Sequence, residues 1–273
     1  MTTTFLSPMT GFPRISRQLT TDTELPHINV RPIVKGAVNE ASHTLAEAYR
    51  VNPVLRWCAS GLSGEKHDEF LYTFFKDMIV GSSLTSRDFA VQVEGCKGAM
   101  IWSAVNPPRR QAATMTHTSS SLERRSSWSN SLSTTVRMAR LIGWTSARRT
   151  FMRFQPACDK LRRTLMGPLN ERGYLIIHYL GVLPIEQGKG LGRAMVEHIL
   201  QKADDAHCPI YVQVDRPEAV VFFERFGFTV RAKAGVVGHE GPEMAILVRD
   251  PETSLGMASP STLQIAPGRR IST

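Results

Sequence analysis

Short hydrophobic segments of two periods divide the chain. His27 to Ile33 (HINVRPI) alternates apolar and polar residues, which predicts a half-buried strand. Asn39 to Tyr49 places Ala41, Leu45, Ala46 and Tyr49 on one face of a helix, and Asn52-Pro53 stops it. Glu65 to Val80 is a second helix, with Phe70, Phe74 and Met78 on one side. Phe89–Val93 and Ala99–Ala104 flank the turn Gly95-Cys96-Lys97-Gly98 and predict a hairpin. Two helices are expected over Val136–Phe154 and Ala157–Met166, interrupted at Pro156, with Met138, Leu141, Ile142, Trp144, Phe151 and Phe154 as their apolar side. An apolar run from Tyr174 reads as a buried strand that Pro184 ends, having no N–H for the ladder. Strict alternation sets Tyr174, Ile176, His178, Leu180 and Val182 on one of its faces and Leu175, Ile177, Tyr179 and Gly181 on the other. The next helix carries Leu191, Met195, Ile199 and Ala203 in one stripe, with Val196 and Leu200 beside them. Ile210–Val214 is a strand, Pro217 to Phe226 a helix ended by Gly227, and Phe228–Arg231 and Glu243–Val248 two antiparallel strands.

This is an α/β (α+β) pattern, and its 273 residues suffice for one substantial core. Residues 1–26 and 251–273 are poor in periodic apolar positions and are expected to be a disordered leader and tail around a domain at 27–250. Arg109–Asn130 is a low-complexity loop. The net charge of +9 is concentrated: Pro108 to Arg172 holds thirteen Lys/Arg against three acids. Its arginines are dispersed without interleaved aromatics, so a solvated surface is favoured over a nucleic-acid partner. No apolar run approaches the ~20 residues of a membrane span, and no secretory core is visible. The four cysteines, Cys58, Cys96, Cys158 and Cys208, show no metal-ligand spacing and read as reduced thiols in a cytoplasmic compartment, with no metal expected.

Between the strand from Tyr174 and the helix from Leu191 lies Gln187-Gly188-Lys189-Gly190-Leu191-Gly192-Arg193. A glycine turn that opens a helix binds phosphate, because the first helical N–H groups lack partners and the dipole is positive there. A Walker-type loop fails, since Gly190 follows Lys189 where Ser or Thr is needed. A Rossmann fingerprint fails, since Arg193 replaces its third glycine and too little chain follows Asp215. Gln187-x-x-Gly190-x-Gly192 resembles the Q/R-x-x-G-x-G/A signature of the GNAT acyl-CoA N-acyltransferases. Leu180-Gly181-Val182-Leu183-Pro184 before it is similar to that family's L-x-V-x-P, and Phe222 to Phe228 after it to F-Y-x-x-x-G-F. Leu45 to Trp57 (LAEAYRVNPVLRW) resembles the first-helix region of fungal-type members.

The resemblance implies a GNAT fold: a central mixed, mostly antiparallel, splayed sheet flanked by helices. Here residues 105–172 form a basic loop and helical insertion between the third and fourth strands, positioned to cap the acceptor site. It implies acetyl-CoA as co-substrate, with pantetheine paired to backbone of Leu180, Gly181 and Val182, and pyrophosphate held by Gln187, Gly188, Lys189, Gly190, Leu191, Gly192 and Arg193. Gly181 would suit a bulge that opens the gap between strands. His178 resembles the base histidine of some members; Tyr179, Glu65 and Asp68 are weaker alternatives. Phe223 departs from the pattern, because the usual Tyr there donates a proton to the CoA sulfur. The implied activity is N-acetylation of a small-molecule amine. Protein N-terminal or lysine acetylation, or a catalytically weak CoA-binding module, are the alternatives. Nothing in the sequence fixes the oligomeric state.

Overall fold

The computed structural model describes residues 28–105, 132–167, 173–235 and 241–251. The expected leader, the basic loop 109–130 and all but the first residue of the tail lie outside the described residues. Among the described residues, seven strands form one sheet: β1 (Val30–Pro32), β2 (Ala90–Val93), β3 (Gly98–Val105), β4 (Tyr174–Val182), β5 (Ile210–Val214), β6 (Thr229–Gly235) and β7 (Glu243–Arg249). Their order is β1-β2-β3-β4-β5-β7-β6. Every neighbouring pair is antiparallel except β4 with β5. This is the mixed, mostly antiparallel sheet expected from the sequence.

Helices cover both faces. On one face α6 (Leu191–Asp205) buries Leu191, Met195, Val196, Ile199 and Ala203 against Val91, Val93, Met100, Trp102, Leu175 and Ile177. The predicted stripe of α6 is therefore its core face. α7 (Pro217–Glu224) adds Phe223 to the same cluster. On the other face α1 (Val38–Ala48) and α3 (Gly64–Thr85) bury Leu45, Phe70, Leu71, Phe74, Phe75 and Ile79 against Ala90, Ala99 and Ile101. Arg249 at the end of β7 is buried and donates two hydrogen bonds to Asp204 of α6, at 2.8 and 3.0 Å. The parallel, bidentate geometry ties that helix to the sheet.

Three local expectations are corrected. Asn52-Pro53 ends α1 but also starts α2 (Pro53–Cys58). The Asn52 side chain accepts from the Leu55 N–H at 2.9 Å, and Pro53 needs no N–H in the first turn. Next, the helical insertion does not break at Pro156. α4 (Leu132–Arg148) kinks at Gly143, whose φ of 77° is open to glycine, and a π turn over Arg149–Phe154 runs directly into α5 (Gln155–Met166). Pro156 sits in the first turn of α5, where it is tolerated. The kink also breaks the predicted apolar side: Ile142 is 4% exposed, whereas Trp144 is 71% exposed. Arg149 holds the insertion onto α2 by donating to the Trp57 carbonyl at 3.0 Å and lying 5.3 Å over the Trp57 ring.

The third correction concerns β4. Ile101 pairs with Tyr179, but its neighbour Trp102 pairs with Ile177, so His178 is an extra residue without a β3 partner. The bulge is at His178 and not at Gly181. One inserted residue reverses the alternation. Leu175 and Ile177 face α6, and beyond the bulge Leu180 and Val182 face it too, while Tyr179 joins the α1–α3 cluster. Gly181 has a different cause. A Cβ there would lie 2.8 Å from the Ala48 Cβ and 3.0 Å from Leu45 Cδ2, so α1 approaches as closely as only glycine permits.

Replacing Gly181 with Ala is expected to cost about 1–3 kcal/mol, since the contact atom on Ala48 is fixed to backbone and cannot rotate away. Urea unfolding of Gly181→Ala measures this; an unchanged midpoint would show that α1 shifts freely.

Candidate active site

The site begins where two strands part. β4 and β5 pair in parallel only over Leu175–Ile177 and Ile210–Val212. Past Ile177 and Val212 the ladder ends, although β4 continues to Val182 and β5 to Val214. A cavity of about 760 Å³ occupies the opening. Its walls include the end of α1, the start of α2, α5, both diverging strands, the glycine turn and α7. The sequence-predicted residues His178, Leu180, Gly181, Val182, Gln187, Gly188, Gly190, Leu191, Gly192, Arg193 and Phe223 all line it.

At one end lies the turn. Gly188 and Gly190 have φ of 79° and 83°, conformations that a Cβ would strain. Gly190 is the N-cap of α6 and has no side chain to cap with, so the first N–H groups of the helix have no side-chain partner. Gln187 Nε2 donates to the Val182 carbonyl at 3.2 Å, which folds the turn back onto β4. Lys189 pairs with Glu186 at 2.9 Å and Arg193 with Glu197 at 2.7 Å. Those two cations are partly neutralised, so an anion here would rest mainly on backbone donors and the helix dipole. A CoA pyrophosphate fits this set. Among the described residues, no group of three or more His, Cys, Asp and Glu is placed to hold a metal ion.

In the middle, Leu180 lies beyond the last β4–β5 pair. Tyr49, the C-cap of α1, puts its hydroxyl 3.2 Å from both the Leu180 N–H and the Leu180 carbonyl. Leu180 backbone, expected to be open for pantetheine, is thus satisfied by Tyr49 in the free protein. The Tyr49 ring packs against Phe75, tilted, at 5.2 Å and against Tyr179, edge to face, at 5.6 Å. Burial pushes its phenol up to about 12, so it is protonated at neutral pH. Sequence reasoning missed Tyr49 as a site residue. Its helical stripe position explained it as core, and only the approach of α1 to Gly181 brings the hydroxyl to β4. Phe223 is buried against Phe222 and Phe228, each at 5.2 Å between ring centres, and presents no hydroxyl.

At the deeper end the bulge aims His178 into the cavity. Its Nε2 lies 2.8 Å from Ser103 Oγ on β3. Burial pushes the imidazole down to about 3, and the positive charge of Arg162 adds to this. His178 is therefore neutral near pH 7 and keeps a nitrogen lone pair. Arg162, from α5, is 8% exposed and donates to Tyr174 Oη at 2.7 Å and Asp159 Oδ1 at 2.9 Å. Its place on the cavity wall is set by the insertion and has no motif. Asp215, at the end of β5, also lines the cavity, and burial raises its carboxyl pKa.

The weaker candidates separate. Tyr179 lines the cavity, but its ring packs edge-on against Tyr49, Phe74 and Phe75, and burial raises its phenol. Glu65 is exposed in the first turn of α3, and Asp68 is paired with Arg50 at 2.7 Å. Neither reaches the cavity.

Residues 119–228 match the model of the acetyltransferase (GNAT) family. The chain is similar to an uncharacterized N-acetyltransferase of Schizosaccharomyces pombe, 26% identical over 107 residues, covering 39% of this chain and 43% of the relative. It is also similar to the 5-NmdU N-acetyltransferase of Pseudomonas phage PaMx11, 32% identical over 66 residues, covering 24% of this chain and 46% of the relative. The chain thus spans less than half the length of these relatives. In fold it is similar to arylalkylamine N-acetyltransferase 2 of Aedes aegypti, with a TM-score of 0.50 and 12% identity over 82% of this chain and 99% of that one. A histone acetyltransferase HPA2-related structure from Corynebacterium glutamicum gives a TM-score of 0.50 and 14% identity, covering 84% and 98%.

The low pKa of His178 has a thermodynamic consequence. An unfolded chain protonates this residue near pH 6.5, the folded chain only near 3, so between those values the unfolded state binds more protons. Stability is expected to fall as pH drops below about 6.5, with His178 contributing at most about 1.4 kcal/mol per pH unit. Denaturant unfolding of wild type and His178→Asn from pH 7 to 4 should show a shallower decline in the variant; parallel declines would contradict the buried neutral imidazole.

Proposed function

Because the chain belongs to the GNAT acetyltransferase family, we propose that it is an N-acetyltransferase that moves an acetyl group from acetyl-CoA to the amine of a small molecule. The observation that carries this reading is the opening between β4 and β5, with an uncapped glycine turn at one end and a neutral histidine at the other. The turn Gln187 to Arg193 holds the pyrophosphate through backbone donors. Leu180, Gly181 and Val182 line the path of the pantetheine arm, and Phe223 packs beside it. Acetyl-CoA supplies the activated acyl group; the chain's own residues bind, orient and handle the proton.

His178 is the proposed proton acceptor. A base held near 3 does not deprotonate a free alkylammonium ion, so the acceptor enters as its neutral amine. Once that nitrogen has bonded to the acyl carbon it is positively charged and far more acidic, and His178 accepts a proton at this stage. Ser103, at 2.8 Å, orients the ring. A small acceptor is favoured over a protein because the helical insertion places Phe154, from the π turn, and Cys158, Asp159 and Arg162, from α5, along one side of the cavity. Protein N-terminal or lysine acetylation needs that side open. The domain is proposed to run from 27 to 250. A cytoplasmic location is the reading most consistent with four free cysteines, and among the described residues no helix is long and apolar enough to cross a membrane.

Acetyl-CoA at a hundredfold excess over its Kd should stabilise the protein by about 2.7 kcal/mol, visible as a raised Tm. No shift at saturation would remove the cofactor assignment. Thiol release from acetyl-CoA across a panel of amines separates an enzyme from a catalytically weak CoA-binding module. In that assay His178→Ala should lower kcat about 100-fold. The wild-type rate should climb with pH along the titration of the amine, with no inflection near 6.5 from His178.

A further inference from the structure

We propose that Tyr49 is a catalytic residue, whose hydroxyl stabilises the departing CoA sulfur in place of the hydroxyl absent at Phe223. This rests on the acetyl-CoA reading above and goes beyond it by assigning the leaving-group partner.

Three observations converge on Tyr49. Its hydroxyl stands inside the β4–β5 opening, 3.2 Å from both backbone groups of Leu180, on the strand edge that has lost its β5 partner. That hydroxyl occupies the hydrogen-bonding position on β4 that an amide of the pantetheine arm would take. An arm that pairs with Leu180 must therefore displace it, leaving an O–H in the same opening and next to the incoming chain. Phe75 and Tyr179 pack against the ring and Gly181 admits the end of α1 against β4, so a hydroxyl displaced from Leu180 stays within the opening. Finally, Phe223 is the expected donor position and is buried among Phe222 and Phe228 with no polar atom to offer.

The chemistry balances without further reactants. The amine lone pair forms the C–N bond, and the C–S bond breaks with its electron pair going to sulfur. The surplus proton on nitrogen passes to His178 and then to water. Tyr49 donates a hydrogen bond to the sulfur and keeps its own proton, because its phenol, near 12, is a weaker acid than a thiol. The thiolate takes a proton from solvent after release. Stabilising developing charge with a fixed donor in a water-poor cleft is the way an oxyanion hole works.

Tyr49→Phe keeps the ring and its packing, and a Tm measurement confirms that it folds. The direct readout is the thiol pKa of bound CoA, followed by thiolate absorbance in the ultraviolet. Loss of a donor to the charged form should raise it by about one unit in Tyr49→Phe. With acetyl-CoA and an accepted amine, kcat should fall about 10- to 100-fold while KM for acetyl-CoA stays within about threefold. Adding Phe223→Tyr to Tyr49→Phe should recover about tenfold in kcat by supplying a hydroxyl from α7. An unchanged bound-thiol pKa and kcat in Tyr49→Phe, or a loss confined to KM, would overturn the proposal. If wild-type protein does not bind CoA at all, the cofactor reading falls and this inference falls with it. CoA binding with an unaltered variant overturns the inference alone.

Discussion

Everything at this site depends on a parallel ladder that stops after three residue pairs. Strand edges carry hydrogen-bonding groups that have to be satisfied somewhere. When β4 and β5 separate beyond Ile177 and Val212, the inner edge of β4 is exposed to a cleft instead of to a neighbour. The cleft supplies substitutes: Tyr49 takes both groups of Leu180, and Gln187 takes the Val182 carbonyl. A ligand with amides along its length can replace those contacts one for one. Under the proposed reading, an extended, amide-bearing arm takes over those contacts on β4.

The bulge at His178 belongs to the same economy of backbone groups. His178 has no β3 partner, its side chain lines the cavity, and the extra residue carries Leu180 and Val182 onto the α6 face that Leu175 and Ile177 also occupy. It also places an ionisable group where burial and Arg162 hold it neutral. Proximity to Arg162 comes from the insertion, which reaches across from α5. The insertion thus acts on the site in two ways: it walls the chamber, and it adjusts the protonation of a residue on the sheet. A neutral imidazole and a protonated phenol share one cleft, where desolvation disfavours the charged form of each.

Long amphipathic elements were legible from periodicity. α1, α3, α6, the β2–β3 hairpin and the strands around the glycine turn match their predicted ranges within a few residues, because their apolar stripes are the surfaces they bury. The GNAT resemblance was legible for a related reason. A turn that opens directly into a helix demands glycine at defined positions, as at Gly190 with its positive φ, and such demands are visible in one dimension. The reading of Pro156 as a break failed because proline is harmless in a first turn, whereas the break at Gly143 required a positive φ that only the packed insertion imposes.

By itself, then, the chain's sequence determined which of the longer segments form helices and strands, where a glycine turn opens a helix, and that Phe223 stands where the family it resembles has tyrosine. Those are local properties, set by side-chain period and by the conformational range of glycine and proline. Only the tertiary structure decided that the bulge lies at His178, that Gly181 is glycine for the sake of Ala48 and Leu45, and that Tyr49 reaches Leu180 across the opening. Each depends on the distance between elements far apart in sequence, and a contact between residues 49 and 180 leaves no mark on the pattern around either one.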